Sequence, residues 1–173
     1  MRDEATSRTI LLLIAVLAAF QMIHYHPLMP ERMAVHFGAS GSPNGWSERT
    51  AFVVLFGSVE ALIVLLGLGL PALIGRMPVN LINIPNRHYW FAEERRQETL
   101  GFLKTHVLWM ETATLGFLMA VAQIIFSANA NGAVRRLPAN FWLIPVVFVG
   151  VIVWLSSKIV LRFRVQPAPG PRA

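Results

Sequence analysis

The chain has no cysteine among its 173 residues. Disulfide frameworks, cysteine-ligated zinc and thiol nucleophiles are therefore excluded. Charge is also scarce. Asp, Glu, Lys and Arg make up 14% of the residues, where a soluble domain carries about 25%. A lone globule of this composition has too little charge to cover its surface. The sequence also lacks a G-x-S-x-G, an H-E-x-x-H, a phosphate-binding glycine loop and a Rossmann fingerprint. With no nucleophile constellation, a non-enzymatic role is expected and no cofactor is implied. What the chain has in excess is apolar side chain: 55% of residues are hydrophobic and the mean hydropathy is +0.54. The length suits one domain, and the composition points to a membrane.

Four apolar runs carry that excess: Thr9 to Ile23, Ala51 to Gly75, about His106 to Phe126, and Phe141 to Val160. A hydrocarbon core ~30 Å thick needs about 20 helical residues to cross it. The last three runs are long enough. The first is long enough if it continues through His24 and Tyr25. Its apolar stretch also suits a signal peptide, with Ala18 and Ala19 near a cleavage point. Against that, Asp3 and Glu4 offset Arg2 and Arg8 in the leading segment, which a signal peptide keeps basic. An uncleaved helix is the expectation. Backbone polar groups in lipid must pair internally, so each run is expected to be helical. The predicted fold is all-α: one membrane domain over 1–173, with spanning helices at about 9–25, 51–75, 104–126 and 141–160. A cap loop at 26–50, a second loop at 76–100 and a disordered proline-rich tail at 165–173 complete it.

Basic residues set the expected orientation. Arg2 and Arg8 precede helix one, Arg76, Arg87, Arg95 and Arg96 lie in the second loop, and Lys158, Arg162, Arg164 and Arg172 end the chain. The opposite side has Arg32, Arg49, Arg135 and Arg136. The positive-inside rule then places both termini and the second loop in the cytoplasm. The net charge of +6 reflects this asymmetry. No clustered basic stripe calls for nucleic acid. Tyr25, Trp46, Tyr89, Trp90 and Trp142 fall near run ends, as an aromatic belt requires.

The stretch from His26 to Phe52 carries the densest pattern. Pro27 and Pro30 keep it extended after the first helix. Val35, His36 and Phe37 suit a short strand. Gly38, Gly41, Pro43, Asn44 and Gly45 read as consecutive turns, with positive φ favoured at Asn44–Gly45. Trp46 is an apolar plug at the membrane surface, and Ser47 is the expected N-cap of helix two. Met29-Pro30-Glu31-Arg32, His36-Phe37, Gly38, Gly41, Asn44, Gly45 and Trp46 together resemble the bacterial membrane family called domain of unknown function 1648. Asn44 stands where that family usually has Asp. A second stretch, Asn83-Ile84-Pro85-Asn86-Arg87-His88-Tyr89-Trp90 followed by Ala92 to Arg96, is similar to single-unit members of the family. The resemblance implies a multi-pass protein of the bacterial cell (inner) membrane. The same domain begins the SdpI-type proteins, which give immunity to a secreted killing peptide and signal its presence. Those proteins are longer and have further helices.

Three groups of residues are candidates for chemistry. His24, His26 and His36 surround the first loop, and imidazole is a common zinc and copper ligand. His24 and His26 are two residues apart, however, which puts them on opposite sides of a helix. His36 is instead expected to hydrogen-bond within the loop. Glu60 and Glu111 lie inside apolar runs, with His106 near Glu111. A charge at mid-membrane costs at least ~2.5–3.5 kcal/mol. These three groups are either a proton or ion relay or interhelical polar glue bonded to Ser58, Thr112, Thr114 or Gln123. Lys104 is expected to snorkel to the headgroups. Phe91 to Leu103 reads as a charged amphipathic helix that runs into helix three, with Arg95 and Arg96 free to meet anionic lipid or a partner.

Three functions follow from these readings. The first is a non-enzymatic accessory, immunity or signalling protein that acts through a membrane-protein partner or a second copy of itself. The second is a small oligomeric transporter or proton-coupled channel that uses Glu60 and Glu111. The third is a metal-binding protein or enzyme that uses the three histidines.

Overall fold

The computed structural model describes residues 2–130 and 134–164. The proline-rich tail lies outside the described residues. Four long helices dominate: α1 Arg2–Tyr25, α2 Arg49–Arg76, α4 Glu93–Asn129 and α5 Leu143–Arg164, with a one-turn α3 at Arg87–Trp90. Each long helix is long and apolar enough to cross a membrane.

The longest helix, α4, has 37 residues. At 1.5 Å per residue it runs about 55 Å, well beyond a hydrocarbon core of ~30 Å. It acts as a mast. The helices α1, α2 and α5 all pack on it, and α1 and α2 also pack on each other. The amphipathic segment and the third apolar run are thus one continuous helix.

The first helix starts at Arg2 rather than near Thr9. Asp3 and Glu4 lie in its first turn, where acid suits the helix dipole. Glu4 pairs with Arg8 at 3.4 Å, and Ser7 Oγ donates to the Asp3 and Glu4 carbonyls. These local bonds carry the helix past the end of its apolar run.

The helical expectation holds, and the cap loop adds one element to it. The cap loop folds into an antiparallel hairpin of β1 Arg32–Phe37 and β2 Pro43–Glu48. Ala34 faces Trp46 and His36 faces Gly45, with one register irregularity between Ala34 and His36 and another between His36 and Phe37. The turn is not at Asn44–Gly45, which lie in β2. It is at Gly38 to Ser42, closed by Gly38 N to Ser42 O at 2.9 Å. Gly41 takes φ 78°, a conformation that glycine adopts freely. Gly45 is needed for another reason: a Cβ there would sit 2.7 Å from the His36 Cβ. Ser47 is likewise a strand residue. Glu48 occupies the N-cap of α2, with no side-chain cap bond.

The core has two parts. Beneath the hairpin, Met22, Met29, Met33, Phe52, Ala122, Ile125 and Phe126 are buried together. Further along the bundle, Leu11, Ala18, Leu108 and Leu115 form the second cluster. The outer faces stay apolar and open. Ile23 is 73% exposed, Leu55 70% and Val146 64%. So continuous an apolar exterior belongs in lipid.

Candidate functional site

The two ends of the bundle differ in construction. At one end the hairpin is fixed to the helices beneath it. Ala34 N donates to Asn129 Oδ1 at 2.8 Å, and Asn129 Nδ2 donates back to the Ala34 carbonyl at 2.8 Å. Arg49 Nη1 donates to the Met29 carbonyl, and Arg49 N to the Glu31 carbonyl, both at 2.8 Å. The connection after α4 closes over the hairpin turn. Leu137 N donates to Gly41 O at 2.9 Å, Arg136 Nε to Ser42 Oγ at 2.9 Å, and Trp142 Nε1 to Ala39 O at 3.4 Å.

The family-motif residues divide between these roles. Gly41 is buried under Leu137, and Pro30 and Phe37 are half-buried. His36, Asn44 and Trp46 are exposed, and Trp46 keeps 46% of its surface open. His36 Nδ1 donates to Asn44 Oδ1 at 2.5 Å, a bond within the loop. His24 instead stacks on Phe20 and meets Tyr25 edge-on. Among the described residues no group of three His, Cys, Asp or Glu gathers into a metal set. The structure therefore does not bring His24, His26 and His36 together.

At the other end, Asn83, Pro85 and Asn86 lead into α3. Asn86 takes φ 54°, and its carbonyl accepts from Tyr89 N and Trp90 N. This folds the two aromatics back onto the bundle. The guanidinium of Arg95 lies 4.0 Å over the Tyr89 ring, and its Nε donates to the Tyr89 carbonyl at 2.9 Å. Trp90 meets Phe163 edge-on at 5.4 Å, and Thr99 Oγ1 donates to its carbonyl at 2.9 Å. Arg162 pairs with Glu98 at 2.6 Å and lies 4.3 Å over Phe102. Arg96 remains exposed.

Inside the bundle, the structure redraws the polar contacts expected of Glu60 and Glu111. Ser58, Thr112 and Thr114 return their hydroxyls to the carbonyls of Val54, Leu108 and Met110 on their own helices, so they do not serve as glue. Gln123, among the expected glue residues, does bond across helices, with Gln21 as its partner. Gln21 Nε2 donates to Gln123 Oε1 at 2.8 Å and to the Met119 carbonyl at 3.2 Å, and Gln123 Nε2 donates to the Tyr25 hydroxyl at 2.7 Å.

Glu60 is 6% exposed, and among the described residues its Oε1 has no hydrogen-bond partner. Glu111 is half-buried beside Gly67, where an added Cβ would lie 3.2 Å from the Glu111 Cβ. His106 turns elsewhere: its ring packs on Phe102, and Nδ1 donates to the Phe102 carbonyl at 2.9 Å. No hydrogen bond joins Glu60, His106 and Glu111 among the described residues.

Reading the sequence alone misses Asn129, Gln21 and Arg162. The signal for the first two is a polar side chain inside an apolar helix, which has to find a partner.

Four apolar helices, an exterior suited to lipid and a braced cap define a multi-pass membrane protein. Residues 10–59 match the family model of a domain of unknown function, DUF1648. The resemblance read from the loop is thus met over α1, the hairpin and the first part of α2. The Asn83–Arg96 motif lies beyond the matched span. No curated protein and no solved structure matches the chain.

Proposed function

We propose that this is a non-enzymatic membrane protein that acts by docking a membrane-protein partner on its cap. The cap faces outward, and the arginine-rich end, with both termini, lies in the cytoplasm of a bacterial cell. One observation carries the reading: the hairpin is braced by Asn129, Arg49 and Leu137, yet leaves His36, Asn44 and Trp46 exposed. A rigid platform with a free aromatic and a polar pair suits recognition, since binding then orders little that was not ordered before. Trp is also among the residues that dominate interface energetics. Roles in accessory function, immunity or signalling all need such a contact.

The test is photo-crosslinking from position 46 in native membranes. A discrete adduct is expected, lost in His36→Ala. An uncrosslinked monomer in the native membrane would overturn the reading.

A second reading rests on Glu60. A carboxyl group buried in an apolar bundle with an unpartnered oxygen suits binding of a proton or cation. Flux measured in liposomes tests it. The reading requires a flux that Glu60→Gln abolishes, and unchanged or absent flux rejects it.

A further inference from the structure

The helix α5 packs on α4 but makes no comparable contact with α1. This leaves a groove of about 1030 Å³ with α4 as its floor and α1 and α5 as its walls. Small residues make the floor: Ala113, Gly116 and Ala120 line it, and a Cβ added at Gly116 would meet nothing within 4 Å. Between Leu143 and Lys158, which also line it, α5 rises about 22 Å. One leaflet of a ~30 Å core is about 15 Å deep, so the groove has room for a whole acyl chain.

The charged side chains of the lining lie at the arginine-rich end. Lys158, Asp3 and His106 all line the groove. His106 commits Nδ1 to the Phe102 carbonyl, and the Lys158 ammonium lies 5.0 Å over Trp154. Among the described residues neither Lys158 nor Asp3 is in an ion pair.

Their order along the bundle is informative. Phe117 stacks on Phe148, and Phe102 meets Phe163. In this antiparallel register Lys158 lies level with about residue 107 of α4. The helix α1 runs parallel to α4, with Gln21 bonded to Met119 and Gln123, which sets Asp3 level with about residue 103. The Asp3 backbone therefore lies about 6 Å, one helical turn, further from the bilayer centre than the Lys158 backbone, and the Lys158 ammonium turns deeper still, over Trp154.

A phospholipid whose phosphate carries a primary ammonium has the complementary order. Its chains are deepest, its phosphate comes next and its ammonium is outermost. We infer that the α1–α5 groove is a binding site for such a phosphoethanolamine-type lipid. Lys158 takes the phosphate, Asp3 takes the N–H donors of the ammonium, and one acyl chain lies on the small-residue floor. A partner helix seated there would instead bury Lys158 and Asp3 away from water without supplying both charges.

Native mass spectrometry of the protein, released from nanodiscs of equal palmitoyl-oleoyl phosphatidylethanolamine, phosphatidylcholine and phosphatidylglycerol, tests this. One retained phosphatidylethanolamine is expected. Phosphatidylcholine retention is lower because its trimethylated ammonium has no N–H to donate. Lys158→Ala and Asp3→Asn should each lower phosphatidylethanolamine retention roughly tenfold, the loss of one charge-assisted contact. Asp3→Asn should leave phosphatidylglycerol retention unchanged. Equal retention of the three lipids by the unaltered protein, a comparison that needs no variant, would overturn the assignment. So would a dimer that retains no lipid.

Discussion

Asn129 holds both backbone polar groups of Ala34, a residue 95 positions away, with two hydrogen bonds of 2.8 Å. The same Nδ2 donates to the Ile125 carbonyl at 2.8 Å, which ties the clamp to the last turns of α4. Both Asn129 and Ala34 are 0% exposed. This one amide side chain thus continues the hairpin's hydrogen bonding into the bundle, where water cannot substitute.

Asn129→Ala should therefore be severe. It strands the Ala34 N–H and C=O in a buried site, at about 1–3 kcal/mol for each group. The expected result in detergent is a loss of thermal stability, with the hairpin cut by protease well before the helices. Asn129→Asp should also fail, because a carboxylate cannot donate to the Ala34 carbonyl.

Gly41→Ala should separate the two connections at the cap end. A Cβ at position 41 would lie 2.9 Å from the Leu137 carbonyl oxygen. The backbone conformation alone costs an L-residue about 1–2 kcal/mol. The expected outcome is faster cleavage in the segment around Leu137 at an unchanged helical content by circular dichroism. Gly116→Ala, where the space is open, serves as the control and should change neither readout.

At the arginine-rich end, Arg162→Ala should cost more than Glu98→Ala. The Glu98 side chain is 72% exposed, and an exposed ion pair contributes about 0–1 kcal/mol. Arg162 also lies over the rings of Phe102 and Trp90, each such contact contributing about 0.5–1 kcal/mol or more. Thermal unfolding of both variants at low and high salt checks this. The Arg162→Ala loss should persist at high salt, and the Glu98→Ala loss should not.

The four apolar runs were legible because lipid demands length and composition, and both can be read along a chain. The hairpin was legible at Val35 to Phe37 and at the turn residues Gly38 and Gly41. Its second strand, PNGWSE, has little of the β-branched content that marks a strand, and it pairs across irregularities that no alternation pattern reveals. Pro43, Asn44 and Gly45 read as turn residues because local propensity favours a turn there, yet they lie in β2. Gly38 and Gly41, also read as turn residues, do form the turn, and the Gly41 carbonyl accepts from Leu137 N, nearly a hundred residues on. The polar glue was legible at Gln123, which bonds to α1, and misplaced at the three hydroxyls. Ser58, Thr112 and Thr114 can satisfy themselves within one helical turn, whereas the amides carry more donors and acceptors than one turn satisfies, so Gln21 reaches α4 and Asn129 reaches the hairpin. The family motif was readable at His36, Asn44 and Trp46 as a pattern, and the structure adds which of its residues are braced and which are open.

The most direct measurement places the two ends relative to a membrane. The chain has no cysteine of its own, so single thiols can be introduced at Ser40→Cys in the cap and His88→Cys in α3, both exposed positions. A maleimide that cannot cross a bilayer is then added to intact cells. Labelling at position 40, with position 88 labelled only after the cells are opened, is the predicted result. Labelling of both positions in intact cells would contradict the account.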